Sequence, residues 1–200
     1  MFLELRKAQK RIAKLYKDNK NPKISDNYHL IYNTYINLKR RKKELNSNFE
    51  LLKIASEYAE RNNFSFSKAA YIACMKKLSK TRELDKPTLE IMPCMLLAYT
   101  IIEISNNSEN LDTEINFIRS VSRTDFSQFD AELFISEKFL TTEEQYLAFT
   151  DETKSRYRSE LSKYAKKYNL THKDAEAHIK ESGKSIGEVL FPEKRNPCFF

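Results

Sequence analysis

The fold class follows from the stretch TDETKSRYRSELSKYAKKY (150–168), which is rich in residues that favour helices. Its tyrosines and its leucine recur every three or four residues, the spacing of one face of an α-helix. Thr150 or Asp151 fits the N-cap position in front of this face. The stretch therefore predicts an amphipathic helix with a buried tyrosine face. That face consists of Tyr157, Leu161, Tyr164 and Tyr168.

A second stretch, SDNYHLIYNTYINLKRRK (25–42), repeats the pattern near the start of the chain. Ser25 is a good N-cap residue, and the run Lys39 to Lys43 places cations at the negative end of the helix dipole. We expect His29 to lie at the edge of the core with a hydrogen-bond partner. The apolar stripe of this helix is formed by Tyr28, Ile31, Tyr35 and Leu38.

The rest of the chain predicts further helices and no sheet. Only Gly183 and Gly187 are glycines, and the two-residue turns typical of β-hairpins are missing from the sequence. Pro93 predicts a kink or a junction within the most apolar helix. We expect a compact all-α domain of about eight to nine helices over residues 1–182, followed by a loosely held tail over 183–200. Besides the two stretches quoted, helices are predicted at about 2–19, 48–61, 67–81, 87–105, 111–121, 126–139 and 172–182, with a short capping box from Thr141 to Glu144 and a loop at 106–110.

Positive charge is concentrated at the N-terminus. Residues 1–45 carry 13 Lys or Arg against 4 Asp or Glu, a balance of +9, whereas the whole chain has a net charge of +7. Such a field favours an acidic partner surface, although a solvated lysine-rich face gives the same pattern. The candidate partner-binding cations of this segment are Lys39, Arg40, Arg41, Lys42 and Lys43.

Four further arginines are candidates for binding a partner. Arg119 and Arg123 stand four residues apart, and Arg156 and Arg158 flank Tyr157, so both should project away from the tyrosine face. Arginine suits bidentate recognition of carboxylate or phosphate. The alternative is local pairing, Arg156 with Glu160 and Arg119 with a neighbouring acid.

No catalytic motif is found in the sequence. The cysteines Cys74, Cys94 and Cys198 form no CxxC pair and are expected to be reduced, buried thiols. His172 and His178 are six residues apart and do not share a helix face, which disfavours a metal site. We therefore predict no catalytic residues, no metal and no cofactor.

The order of four segments resembles the N-terminal helical region of the cyclic β-1,2-glucan synthases, which are bacterial membrane glycosyltransferases. The first is DNYHLI (26–31), followed by a basic helix. The second is the stretch 66–104, which contains the segment ELDKPTLEIMP before an apolar helix. The third is INFIRSVSRTDFSQFDAELFISEKFL (115–140), and the fourth is YLAFTDETKSRYRSELSKYA (146–165).

This resemblance implies a role and a location. It implies a non-catalytic scaffold or regulatory domain, or a truncated fragment, of a UDP-glucose-dependent synthase whose membrane spans would follow the tail. The implied partner is the membrane-embedded glycosyltransferase portion, and the implied location is cytoplasmic, with the inner face of the membrane as one option. In this family setting, Tyr28, His29, Tyr157 and Tyr164 are expected to be structural.

A stand-alone binding module is the alternative. The basic segment 1–45 would then bind an anionic membrane surface, an acidic protein or, less favoured, nucleic acid. Tyrosines interleaved with lysines suit a stacking platform, but no RNA-binding or helix-turn-helix signature accompanies them.

Overall fold

The computed structural model describes residues 1–106 and 109–192, and these residues form an all-α fold with no strand among them. The predicted fold class is therefore confirmed. The contacts divide the chain into two compact units. One contains Met1–Lys77 and Glu90–Phe126, and the other contains Leu78–Leu89 and the chain from Ser127 onward. The single domain predicted over 1–182 remains a prediction, since this division does not test whether each unit folds alone.

The first unit is built on an antiparallel pair of basic helices. Helix α1 contacts α2, and α2 also contacts α7. Their apolar stripes are buried, as predicted for Ile31 and Leu38 on α2. Leu5 and Ile12 are the buried residues on α1, and Ile118 is one on α7. The helices of this unit are α1 (Phe2–Lys17), α2 (Pro22–Arg40), α3 (Lys42–Ser47), α4 (Leu51–Arg61), α5 (Lys68–Leu78), α6 (Lys86–Ser105), which begins in the second unit, and α7 (Leu111–Arg123).

The second unit is arranged around one long helix, α10, which contacts α9, α11 and α12. Thr150 caps α10 through its side chain, as the sequence predicts, and Thr171 caps α11 in the same way. The elements of this unit are a 3₁₀ helix (Phe126–Phe129) that begins at the unit boundary, α8 (Asp130–Leu133), α9 (Glu137–Leu140), a second 3₁₀ helix (Glu144–Ala148), α10 (Asp151–Tyr168), α11 (His172–Glu181) and α12 (Ile186–Leu190).

Several predicted boundaries are wrong for identifiable reasons. Helix α2 begins at Pro22, because Asn21 and not Ser25 caps it, accepting a hydrogen bond from the amide of Ile24. The helix predicted at 126–139 is broken, since the amide of Ile135 leaves the helical pattern and donates to the carbonyl of Leu84. The predicted Thr141–Glu144 box is absent, because Thr141 ends α9 instead.

The described part of the predicted tail, residues 183–192, contains helix α12. Ser185 and Glu188 form a reciprocal capping box at the start of α12. Ile186 and Leu190 of this helix are buried. Residues 193–200 of the predicted tail, and residues 107 and 108 of the predicted loop, lie outside the described residues.

Helix α6 is continuous through Pro93, so the predicted junction of two helices is wrong. By length and composition, α6 is also long and apolar enough to cross a membrane, within the part of the chain that the structure describes. Most of this stretch is buried inside the protein. A buried core helix meets the same criteria, so α6 by itself carries no membrane assignment.

Candidate functional site

The basic run at the end of α2 is mostly exposed, with one exception. Lys39, Arg40, Lys42 and Lys43 are exposed, as a binding surface requires. Arg41 is half-buried and holds other parts of the first unit. It donates to the Glu44 carboxylate, to the Glu90 carbonyl at 2.9 Å and to the Cys94 sulfur at 3.3 Å. Arg41 therefore fastens the end of α2 to α6 and is not a free partner-binding cation.

The two arginines of α7 are exposed but differ in their contacts. Arg119 donates hydrogen bonds to the side-chain oxygens of Asn116 and Asn27. The predicted alternative of pairing with an acid is therefore replaced by asparagine contacts between α7 and α2. Arg123 lies in the last turn of α7, where its charge suits the helix dipole.

Tyr28 belongs to a stack of tyrosine rings on the surface of the first unit. Its ring lies 4.1 Å from that of Tyr16, with the planes only 6° apart, and Tyr32 continues the stack at 5.9 Å. His29 is exposed and meets the Tyr28 ring edge-on at 6.2 Å. Its predicted place at the edge of the core is therefore wrong, whereas Tyr28 is half-buried.

The buried face of α10 shares only Leu161 with the face that the sequence predicts. Tyr157 and Tyr164 are half-buried and Tyr168 is 47% exposed, whereas Arg158 is only 4% exposed. One residue along a helix is a rotation of about 100°, so choosing the neighbouring stripe exchanges an aromatic face for a charged one. The inward stripe runs through Arg158, Leu161, Ser162 and Ala165.

Arg158 lies inward, whereas the sequence predicts that it projects outward and binds a partner. Its guanidinium makes two hydrogen bonds to Glu137, Nε to Oε2 at 2.8 Å and Nη2 to Oε1 at 2.8 Å. A planar guanidinium and a carboxylate match in this two-point geometry. Arg158 is therefore a structural residue of the second unit.

Arg158 is part of a larger cluster of polar and charged side chains, all of them buried except the half-buried Glu137, which we call the Arg158 cluster: Lys86, Asp130, Glu137, Tyr146 and Arg158. Lys86 Nζ donates to Asp130 Oδ2 at 2.6 Å, and Arg158 Nη1 lies 3.8 Å from the same oxygen. The Tyr146 hydroxyl donates to Glu137 at 3.2 Å. Two cations face two carboxylates, so the cluster is formally neutral, as burial of charge demands.

The helix termini explain how these side chains meet. Lys86, Asp130 and Glu137 are the first residues of α6, α8 and α9. Carboxylates are favoured in the first turn of a helix, where the dipole is positive. Arg158 extends from the middle of α10 toward two such turns, those of α8 and α9. The cluster therefore holds α8, α9, α10 and the second 3₁₀ helix together with the start of α6, which belongs to the second unit.

Burial and pairing raise the pKa values of Arg158 and Tyr146. Burial lowers the pKa of Arg158, but the hydrogen bonds and charge of Glu137, with Tyr146 and Asp130, outweigh it and the net pKa is raised. Burial raises the pKa of Tyr146, and Glu137 raises it further, although the charge of Arg158 opposes this. The guanidinium therefore stays charged and the phenol stays protonated at neutral pH.

A second polar chain lies beside this cluster. His172 is 3% exposed, its Nδ1 is 3.1 Å from Glu83 Oε2, and its Nε2 is 3.3 Å from Ser162 Oγ. These are the residue types of a hydrolase triad. However, Ser162 is buried within α10 and accepts a hydrogen bond from the amide of Lys86. The arrangement therefore positions α11 on α10 and offers no accessible nucleophile.

Most of the Arg158 cluster is not predicted from the sequence. No role is expected there for Lys86, Asp130, Glu137 or Tyr146. A usable signal was present, since Leu161 and Ala165 follow Arg158 at positions i+3 and i+7. These three residues form as good a helical stripe as the tyrosines do. Acidic residues that open short helices among buried phenylalanines would then be its expected partners.

The two cysteines in the described part of the chain are free thiols, and both are half-buried. Burial raises the pKa of Cys74 and of Cys94, which keeps both in the unreactive thiol form. Cys198 lies outside the described residues. Within residues 1–106 and 109–192, no group of three His, Cys, Asp or Glu side chains is placed to hold a metal ion. Comparisons of the chain with protein-family models, with curated proteins and with solved structures found no match.

Proposed function

We propose that this chain is a non-catalytic helical scaffold or regulatory domain of a membrane glycosyltransferase similar to the cyclic β-1,2-glucan synthases. Its partner in this proposal is the membrane-embedded glycosyltransferase portion, and its location is the cytoplasmic side of the membrane. The observation that carries the proposal is the Arg158 cluster. In this proposal the paired charges of the cluster fix one arrangement of the helices around them, and they are not available to a substrate.

The resemblance and the structure bear on the same residues. The last of the four similar segments, 146–165, contains both Tyr146 and Arg158. These residues join the 3₁₀ helix before α10 to the buried face of α10. A segment that determines the packing of a domain is one that a family of scaffolds would share. This supports a structural role for the segment 146–165.

Incubation of the purified chain with radiolabelled UDP-glucose tests the non-catalytic part. We expect label release no faster than that from a sample of the heat-denatured chain. Turnover that depends on the folded chain would contradict the proposal. Co-expression with the membrane portion of a synthase tests the partner, and we expect the two to co-purify in detergent.

A second function is supported by the exposed cations Lys39, Arg40, Lys42 and Lys43. Exposed cations clustered at one helix end attract an anionic surface, with an affinity that falls as salt is added. Lys42 also lies over the Phe2 ring at 5.5 Å, which holds its charge at this surface. The surface suits an anionic membrane leaflet or an acidic protein.

Binding to vesicles tests this second function. Vesicles with phosphatidylserine should bind the chain, and charge reversal of the four exposed cations should abolish binding. Arg41 is left unchanged because it is structural. The matched control reverses Lys166, Lys167, Lys173 and Lys180 of the second unit, which should leave binding intact. Equal loss in both variants would show that only net charge matters.

A further inference from the structure

The outward face of α10 forms one wall of an open groove of about 800 Å³, and the end of α12 with Phe191 and Pro192 forms the other. Aromatic rings line the groove. The ring centroids of Tyr164 and Tyr168, on its helical wall, are 4.7 Å apart. Both rings belong to the face that the sequence predicts to be buried. Ligand sites in proteins commonly have volumes of about 300–1,000 Å³.

Cations stand along this groove in an uneven pattern. Arg156 lies over the Phe191 ring at 5.1 Å, and Lys167 lies over the Tyr168 ring at 5.0 Å. Lys163, between them, is paired with Glu160 at 2.7 Å. Among the described residues, no carboxylate lies within 4 Å of Arg156 or Lys167, so the groove has a cation at each end and a neutral pair in the middle.

The spacing of the two end cations sets the size of an occupant. They are eleven residues apart, which corresponds to about 16 Å along an α-helix. An extended peptide spans this distance with about five residues. A guanidinium stacked on an aromatic ring keeps its edge free for a bidentate contact with a carboxylate.

We propose that this groove is a docking site for a segment of a partner protein that has acidic residues at both ends and apolar or aromatic residues between them. The proposal deepens the scaffold function above and rests on it, because a scaffold needs a surface that holds its partner. Glu160 disfavours nucleic acid, since a continuous row of phosphates would pass over this carboxylate. The concave shape also disfavours a flat lipid surface.

Selection of peptides from a random displayed library with the full chain as bait tests the proposal. We expect the enriched peptides to contain two acidic positions separated by about five residues around an aromatic or aliphatic centre. The best peptide is then synthesised with a fluorophore, and its Kd is measured by anisotropy. Arg156→Glu and Lys167→Glu should each weaken this binding at least tenfold.

Lys166→Glu is the matched control, because Lys166 is exposed on α10 but does not line the groove. It should leave the Kd unchanged, and circular dichroism melts should show that all three variants fold. Enriched peptides without acidic residues, or equal binding by the reversed variants, would overturn the proposal. Binding of oligo-dT that depends on Arg156 and Lys167, with no acidic peptide enriched, would overturn it in favour of nucleic acid. None of these results would affect the non-catalytic function, which UDP-glucose turnover tests separately.

Discussion

Arg158 and Glu137 form a two-point ion pair, with both hydrogen bonds 2.8 Å long and the arginine almost fully buried. The pair joins the middle of α10 to the first turn of α9. Taking two charges out of water is costly unless each finds a partner of good geometry. Here Tyr146 and Asp130 complete the surroundings of the pair, so the removal of Arg158 or of Glu137 leaves the other charge without its main partner.

The buried pair Lys86–Asp130 should show strong energetic coupling. Replacing one member alone leaves a buried charge, so Lys86→Met and Asp130→Leu should each destabilise the protein by about 3–5 kcal/mol. The double variant should cost less than the sum of the two, because neither charge remains. Urea unfolding of the four proteins gives the coupling energy. Additive effects would contradict the pairing; the exposed pair Lys163–Glu160, treated in the same way, should show coupling of about 0–1 kcal/mol.

The raised pKa of Tyr146 predicts that the folded protein loses stability in alkali. Its pKa is raised in the folded state, whereas in the unfolded chain it titrates near its usual value of about 10. The folded protein therefore holds the proton more tightly, and this contribution is complete below pH 10 and is lost as the pH rises through the folded-state pKa. Tyr146→Phe should be less stable at pH 8 by about 1 kcal/mol, because a hydrogen bond is lost.

Above pH 10, Tyr146→Phe should lose stability less steeply than the wild type. Urea unfolding at intervals from pH 8 to pH 11.5 measures both slopes. Tyr32→Phe, which removes an exposed tyrosine outside the Arg158 cluster, is the control and should keep the wild-type slope. Equal slopes for wild type and Tyr146→Phe would mean that Tyr146 does not bind its proton more tightly in the folded state.

Gly187 and Tyr157 should be coupled through one close approach. A Cβ at position 187 would lie 2.9 Å from the Tyr157 hydroxyl, and the Tyr157 ring is held by Phe191 at 4.8 Å and Phe149 at 5.2 Å. Gly187→Ala should therefore destabilise the wild type by about 1 kcal/mol through overpacking. In a Tyr157→Phe background, the same change should stabilise by about 0.5 kcal/mol, because alanine favours the helix and the oxygen is gone. A change of the same sign in both backgrounds would contradict this contact.

The sequence predicted the helices better than it predicted their inward faces. Where the apolar stripe is unambiguous, as for Ile31 and Leu38 of α2, the buried face agrees with the prediction. Helix α10 offers two stripes, and hydropathy alone favours the tyrosines over one that contains an arginine. The arginine stripe is buried because Asp130 and Glu137 neutralise it, and no periodicity within α10 can reveal partners that lie 21 or more residues away in the chain.

Local capping signals were reliable where the side chain had no competitor. Thr150 caps its helix as predicted. Ser25 does not, because Asn21 followed by Pro22 supplies a better start one turn earlier. The break between α8 and α9 depends on the contact of Ile135 with Leu84, a tertiary contact that overrides the helical pattern of 126–139.

Three single substitutions on α10 test the buried charge cluster most directly. Arg158→Ala should destabilise the protein by about 3–5 kcal/mol, because Glu137 and Asp130 lose a buried partner. Tyr157→Ala removes a half-buried ring and should cost about 2–3 kcal/mol. Arg156→Ala removes an exposed cation over Phe191 and should cost about 1 kcal/mol or less.

Urea unfolding of these three variants beside the wild type gives the order of their effects. The structure predicts that Arg158→Ala is the most damaging, followed by Tyr157→Ala and then Arg156→Ala. The opposite result would be equally small effects of Arg158→Ala and Arg156→Ala and the largest effect of Tyr157→Ala. It would show that the tyrosine face is the buried one and that the Arg158 cluster does not hold the second unit together.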